Sequence, residues 1–98
     1  MTIEKTKNDA QLTLKIIGRL DTSTAPQLET VLMEETDGVT DLIFDCAEME
    51  YISSAGLRVF LKAQKKMNIA GSMKVIHVNE ANMEVFSITG FDQILTIE

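Results

Sequence analysis

The segment Tyr51–Leu61, YISSAGLRVFL, joins an apolar strand-like run to a stretch with helical periodicity, and two serines stand at the junction. Serine is favoured at a helix start because its oxygen accepts a hydrogen bond from the unpaired backbone amides of the first turn. The same amides and the positive end of the helix dipole favour an anion there. The segment therefore predicts a strand-to-helix unit whose junction tolerates an added negative charge.

Upstream of this segment the sequence predicts a β-hairpin followed by a helix. Residues 3–7 form a short strand candidate, and apolar and polar side chains alternate through 12–16 as in a half-buried strand. The run Asp21–Thr24 supplies helix-capping side chains. We expect the helix to cover 25–35 and Gly38 to end it.

Downstream, apolar runs predict two more strands and two more helices. In the helix after the serines, Leu57, Phe60 and Leu61 share one face, which we expect to pack in the core. Helices between successive strands favour parallel strand pairs. The sequence thus predicts an α/β fold of order ββαβαβαβ, with a mixed sheet of four to five strands. The downstream elements are a strand at 42–46, a helix at 55–69, a strand at 73–78, a helix at about 79–87 and a strand at 94–97.

Composition limits the classes of partner. The 98 residues are enough for one domain over 1–98, with 45% apolar and 24% charged residues, as in ordinary globular proteins. A net charge of −6 argues against nucleic acid, because phosphate backbones require a surplus of Lys and Arg. No leader-like segment and no run of about 18 apolar residues is present. We therefore expect a cytoplasmic protein without membrane insertion, and a monomer when it is free.

Motifs for catalysis or metal binding are missing from the sequence. It has no phosphate-binding glycine loop, no nucleophile elbow and no paired-histidine zinc motif. The single Cys46 cannot form an internal disulfide and, with the single His77, gives no metal cluster. We therefore predict a binding protein rather than an enzyme, with no catalytic residues, no metal and no cofactor.

Three segments together resemble the STAS domain of anti-sigma factor antagonists. They are Gly18–Asp21 with the helix start that follows it, Ile52–Leu57 after an apolar strand, and Val85–Phe91 near the end of the chain. Each segment alone is moderately specific. Together they make the resemblance strong, because they occur in the family's order and spacing. Since the last segment lies near the end of the chain, the resemblance covers nearly the whole chain.

The resemblance implies a bacterial partner switch. The unphosphorylated protein would bind an anti-sigma factor that is also a serine kinase, and the sigma factor would be released. Phosphorylation with ATP would end this binding, and a serine phosphatase would reset the system. The family's spacing places the phosphorylation site on Ser54, with Ser53 as the second candidate because it stands where the family commonly has aspartate. Asp21 matches an acidic residue that the family holds near the acceptor.

We predict that the partner-binding surface surrounds these serines. Arg58 and Lys62 belong to a group of four basic residues on the second helix, in a chain that is acidic overall. The alternatives are that these bases only face solvent, and that Ser54 and Asp21 only cap helices. In that case the chain would be a constitutive STAS adaptor or structural subunit, for example of a membrane-associated transport complex. The predicted partner-binding residues are Asp21, Ser53, Ser54, Gly56, Arg58 and Lys62.

Overall fold

Four strands form one sheet in the order β1-β2-β3-β4, and helices connect its parallel members. The structure is a computed structural model that describes residues 1–98. Strands β1 and β2 are antiparallel, whereas β2–β3 and β3–β4 are parallel, so the predicted mixed α/β sheet is confirmed. The elements are β1 Thr2–Asn8, β2 Gln11–Leu20, α1 Ala25–Glu35, β3 Asp41–Ile52, α2 Ser54–Ala70, β4 Ser72–Ile76, α3 Glu80–Thr89 and a 3₁₀ turn at Phe91–Gln93.

The first helix has the predicted bounds, but its end is built differently. It runs over Ala25–Glu35 with Pro26 in its first turn, where the missing amide hydrogen costs nothing. Thr36 is the residue that caps its C-terminus. Gly38, which we expected to stop the helix, lies two residues further on and has φ of 78° in the following turn. Its left-handed backbone shapes the connection to β3 rather than the helix end.

Strand β3 continues for six residues beyond the predicted end at 46. The sequence pattern did not predict this extension, because two irregularities in the pairing with β2 interrupt the alternation of buried and exposed residues. Between Lys15 and Ile17 of β2, β3 advances from Asp45 to Glu48, which inserts one extra residue. A second shift follows at Gly18 of β2. These bulges change the side-chain period, so that Met49 and Ile52 still point into the core although they do not fit a period of two.

The predicted last strand at 94–97 is wrong. After α3 the chain enters the 3₁₀ turn, and the amide of Leu95 still donates to the carbonyl of Phe91 at 2.8 Å. Contact with the sheet is limited to a single parallel bridge between Ile97 and Val75 in β4, whose two hydrogen bonds join Val75 to Thr96 and Glu98. Because the turn uses the residues that an extended strand would need, the predicted fifth strand is reduced to that bridge.

The core is centred on a stack of three aromatic rings. The ring of Phe60 in α2 lies 4.4 Å from that of Phe44 in β3 and 6.2 Å from that of Phe86 in α3, centroid to centroid. All three side chains are fully buried. Leu57 and Phe60 lie in the predicted core face, but Leu61 is only half-buried and Val59 is buried instead. Helix α2 packs against α1 as well as the sheet, which widens its buried face.

The lone cysteine lies inside this core. Cys46 is completely inaccessible in β3, as expected of a small apolar side chain. Burial raises the pKa of its thiol to about 12. Because the thiolate is the reactive form, the side chain is chemically inert in the folded protein.

Replacing Phe60 by alanine should remove the centre of the ring stack and lower the free energy of unfolding by about 3–5 kcal/mol. Urea unfolding measures the loss, and Phe60→Leu provides a milder change if the alanine variant does not fold. Ile69→Ala on the same helix is the matched control, since Ile69 is 91% exposed and should change stability by less than about 0.5 kcal/mol. Equal losses at the two positions would contradict this description of the core.

Candidate functional site

The two serines at the start of α2 have different structural roles. Ser53 is the N-cap residue: its backbone is extended, its hydroxyl oxygen accepts from the amide of Gly56 at a long 3.5 Å, and its carbonyl accepts from Leu57 at 2.9 Å. Ser54 is the first helical residue, its side chain is exposed, and it takes part in no side-chain hydrogen bond. The capping role considered for Ser54 therefore belongs to Ser53. The hydroxyl of Ser54 is free.

The start of α2 is tied to the end of β2. The amide of Ser53 donates to the carbonyl of Leu20 at 2.9 Å, and Leu20 pairs with Ile52 in the parallel ladder. Asp21 is the next residue after Leu20. The carboxyl ends of β2 and β3 thus bring Asp21 and both serines to the same edge of the sheet.

Gly56 is required at this junction for packing. A Cβ at this position would lie 2.7 Å from Cγ of Leu20 and 2.9 Å from Cγ1 of Ile52, which is closer than carbon atoms can approach. The missing side chain lets the first turn of α2 pack directly on the ends of both strands. Gly56 is buried, so its structural role here is to allow this close packing.

Asp21 organises the turn between β2 and α1. Its Oδ1 accepts from the amide and hydroxyl of Ser23 at 3.0 and 2.8 Å and from the amide of Thr24 at 3.2 Å. In return, Oγ1 of Thr24 accepts from the amide of Asp21 at 2.8 Å and donates to the carbonyl of Arg19 at 2.8 Å. The hydrogen bonds from Ser23, followed by those from Thr24, hold the pKa of Asp21 below its usual value. The carboxylate is therefore charged at the site, with one oxygen committed to its own loop.

Arg19 and Tyr51 form a contact beside this turn that sequence analysis missed. The guanidinium of Arg19 lies 4.3 Å from the ring centroid of Tyr51, and its Nε lies 3.7 Å from Oδ2 of Asp21. Arginine over an aromatic face is a favourable cation–π geometry. The two residues are opposite each other in the ladder between β2 and β3. Only this strand register brings them together, and neither segment alone carries a signal for it.

The basic residues of α2 are exposed, but they are not equally available. Nζ of Lys62 lies 2.5 Å from a carboxylate oxygen of Glu29 in α1, and Nζ of Lys66 donates to Oγ1 of Thr36 at 2.6 Å. Arg58 forms no salt bridge and lies beside Ala55 along a shallow groove between the starts of α1 and α2. Of the two predicted basic contacts, Arg58 is thus free and Lys62 is already paired.

Elsewhere the structure contains no group of three or more His, Cys, Asp or Glu side chains that could hold a metal ion. None of its helices is both long and apolar enough to cross a membrane. The chemistry that the site offers is thus an exposed hydroxyl at a helix start, flanked by one bound carboxylate and one free guanidinium.

The STAS domain family model matches residues 2–98. BtrV of Bordetella bronchiseptica is 32% identical over 99 aligned positions, which cover 99% of this chain and 85% of that protein. The anti-sigma-B factor antagonist of Staphylococcus aureus is 29% identical over 99 positions, which cover 99% of this chain and 92% of that protein.

Solved structures share the fold. An anti-sigma factor antagonist from Mycobacterium paratuberculosis superposes with a TM-score of 0.87 at 23% identity, covering 98% of this chain and 83% of that one. The Bacillus cell fate determinant SpoIIAA, in its phosphorylated form, superposes with a TM-score of 0.73 at 16% identity, covering 99% of this chain and 91% of that one.

Removing the charge of Asp21 should reduce stability at neutral pH and have little effect in acid. Because the pKa of Asp21 is lowered on folding, its ionised form stabilises the protein above the unfolded value near 3.8, and this stabilisation is lost as the pH falls through the folded pKa. Urea unfolding of the wild type and Asp21→Asn should show a larger difference at pH 7 and pH 5 than at pH 3.

Asp37→Asn is the matched control for the change in net charge, because Asp37 is exposed and lies outside this network. A difference between the wild type and Asp21→Asn that stays constant or grows as the pH falls would show that the ionised carboxylate does not stabilise the turn.

Proposed function

Because the chain belongs to the STAS-domain family of anti-sigma factor antagonists, we propose that it binds an anti-sigma factor when unphosphorylated and releases it when Ser54 is phosphorylated. The anti-sigma factor in this proposal is itself the serine kinase. It transfers the γ-phosphoryl group of ATP to Oγ of Ser54, which loses its proton, and ADP leaves. A serine phosphatase returns the chain to its binding form by hydrolysis.

The observation that carries the proposal is the free hydroxyl of Ser54 beside the capping hydroxyl of Ser53. A kinase needs an acceptor that it can reach without unfolding its substrate. Ser54 is exposed and has no hydrogen bond to lose, whereas Ser53 is partly buried and helps to start the helix. Ser54 is therefore the better acceptor on structural grounds as well as by its place in the family motif.

A phosphate on Ser54 should leave the free domain folded. It brings close to two negative charges at neutral pH and meets the unpaired amides of the first helical turn. An anion at a helix N-terminus gains about 0.3–1 kcal/mol. Asp21 adds some repulsion at the same edge of the sheet, so the two effects oppose each other. The net change in folding stability is small.

The same charge should act strongly at an interface. In a complex shaped around a neutral hydroxyl, the dianion loses its hydration without gaining a cation from the anti-sigma factor, and truncated or unpaired buried charges cost about 2–5 kcal/mol. Since about 1.4 kcal/mol corresponds to a tenfold change, the affinity falls roughly 30-fold or more. The effect on the complex therefore exceeds the effect on the fold. This difference is what a reversible switch requires.

In the proposed exchange of partners, the chain acts in the bacterial cytoplasm and is a monomer when it is free. The chain is then a substrate of the kinase and the phosphatase, and it performs no reaction of its own. Its output is a choice of partner: while it occupies the anti-sigma factor, the sigma factor is released.

Incubation with the anti-sigma kinase and ATP should add one phosphate, located on Ser54 by mass spectrometry of the digested chain. Ser54→Ala should abolish the modification, while Ser53→Ala, the neighbouring control, should retain it. The phosphorylated chain should melt within a few degrees of the unmodified one and bind the anti-sigma factor roughly 30-fold more weakly or worse. Phosphate found only on Ser53, unaltered affinity, or a melting temperature tens of degrees lower would each contradict the proposed switch.

Neutralising Arg58 should weaken binding to the anti-sigma factor more than neutralising Lys62. Lys62 already shares its charge with Glu29, whereas Arg58 is free to meet an acidic side chain of the partner. Association of Arg58→Gln should be slower by roughly two- to fivefold at low ionic strength, and the difference should shrink as salt is added. Stopped-flow or surface-based kinetics with Lys62→Gln as the paired control measures this. Unchanged kinetics in folded Arg58→Gln would place the interface elsewhere.

A further inference from the structure

Arg58 lies one helical turn after Ser54, on the same side of α2. Residues four positions apart on a helix have their Cβ atoms about 5–6 Å apart and face each other. Both side chains are exposed, and Ala55, one residue after Ser54, lines the same shallow groove as Arg58. The guanidinium is therefore within reach of any group added to the hydroxyl of Ser54.

Two other bases on this side of the fold, one lining the groove and one in β2, are already paired. Lys62, one turn further along α2, is bound to Glu29 of α1. Arg19 of β2 contacts Asp21 in the turn before α1, and stacks on Tyr51. Among these basic side chains only Arg58 has no anion, and the two nearby carboxylates, Asp21 and Glu29, have their own cations. A new anion at Ser54 thus meets one free cation.

We propose that Arg58 binds the phosphate on Ser54 within the same chain, so that phosphorylation removes this basic contact from the partner while it adds negative charge. This rests on the proposed modification of Ser54. The geometry favours the pair, because an anion four residues N-terminal to a cation agrees with the helix dipole. The planar guanidinium also matches phosphate oxygens in a two-point contact.

The pairing changes the interface in two ways at once. Before modification, the partner faces a neutral hydroxyl and a free guanidinium. After modification, it faces a phosphate whose nearest cation is held inside the chain. The partner therefore loses an attractive contact and gains a repulsive one, although no backbone segment has to move.

Phosphorus NMR on the chain with phosphoserine built in at position 54 during translation tests the pairing without any kinase. A nearby cation favours the dianion and so lowers the second pKa of the phosphate, which is about 6 for an isolated phosphoserine. The pKa should rise by about 0.3 units in Arg58→Gln, as expected for an ion pair one turn apart, and by less in Arg58→Lys. The phosphate pKa should stay close to its wild-type value only in variants that keep a basic residue at position 58.

Lys65→Gln is the matched control, since it also removes one exposed positive charge from α2. Lys65 lies about two helical turns further from Ser54 than Arg58 does. Its phosphate pKa should equal that of the wild type, and the effect of Arg58→Gln should shrink at high salt. Equal pKa values in the wild type and Arg58→Gln would overturn the pairing. Failure of the kinase to modify Ser54, with the pKa shift present, would instead contradict the proposed function and leave the pairing intact.

Discussion

The close approach of α2 to the ends of β2 and β3 is the constraint on which the site depends. Gly56 has room for no side chain against Leu20 and Ile52, and the amide of Ser53 is bonded to the carbonyl of Leu20. These contacts fix both where the helix begins and which way its first turn points. The carboxylate of Asp21 and the hydroxyl of Ser54 are brought together by packing, without a direct bond between them.

Charge is distributed unevenly over this scaffold. The chain carries a net charge of −6, yet α2 contains four basic residues and no acidic one, while the segment from Asn79 to Glu98 contains four acidic residues and no Lys or Arg. Such separation steers the approach of a partner more than it adds affinity. Within the basic surface, Lys62 is bound to Glu29, whereas Arg58, the base of α2 that is closest to Ser54 along the helix, forms no salt bridge. Net charge alone would not have revealed this difference.

Local signals decided how much of the fold could be predicted from the sequence. Helix α1 was predictable to the residue because capping side chains and Pro26 mark its start. Helix α3 was predictable to within two residues, because Asn79 caps its start and Gly90 ends it in the left-handed conformation. The full length of β3 was not predictable, since its bulges depend on pairing with β2. The predicted strand at 94–97 was wrong because the chain forms a 3₁₀ turn after Gly90. The apolar residues of this segment fit a strand and a turn equally well, so the sequence did not distinguish the two.

The choice between the two serines shows the same limit at the site itself. Two adjacent hydroxyls have nearly equal capping propensity, so the contacts of the junction determine which of them precedes the helix. These are the bond from the Ser53 amide to Leu20 and the close packing of Gly56. A phosphate on Ser53 would put charge on a partly buried side chain whose oxygen already accepts from the Gly56 amide, whereas the hydroxyl of Ser54 has no contact to lose. The fold therefore divides two roles between neighbouring residues: Ser53 caps the helix, and Ser54 is accessible. A charge can be added to Ser54 while Ser53 still caps the helix.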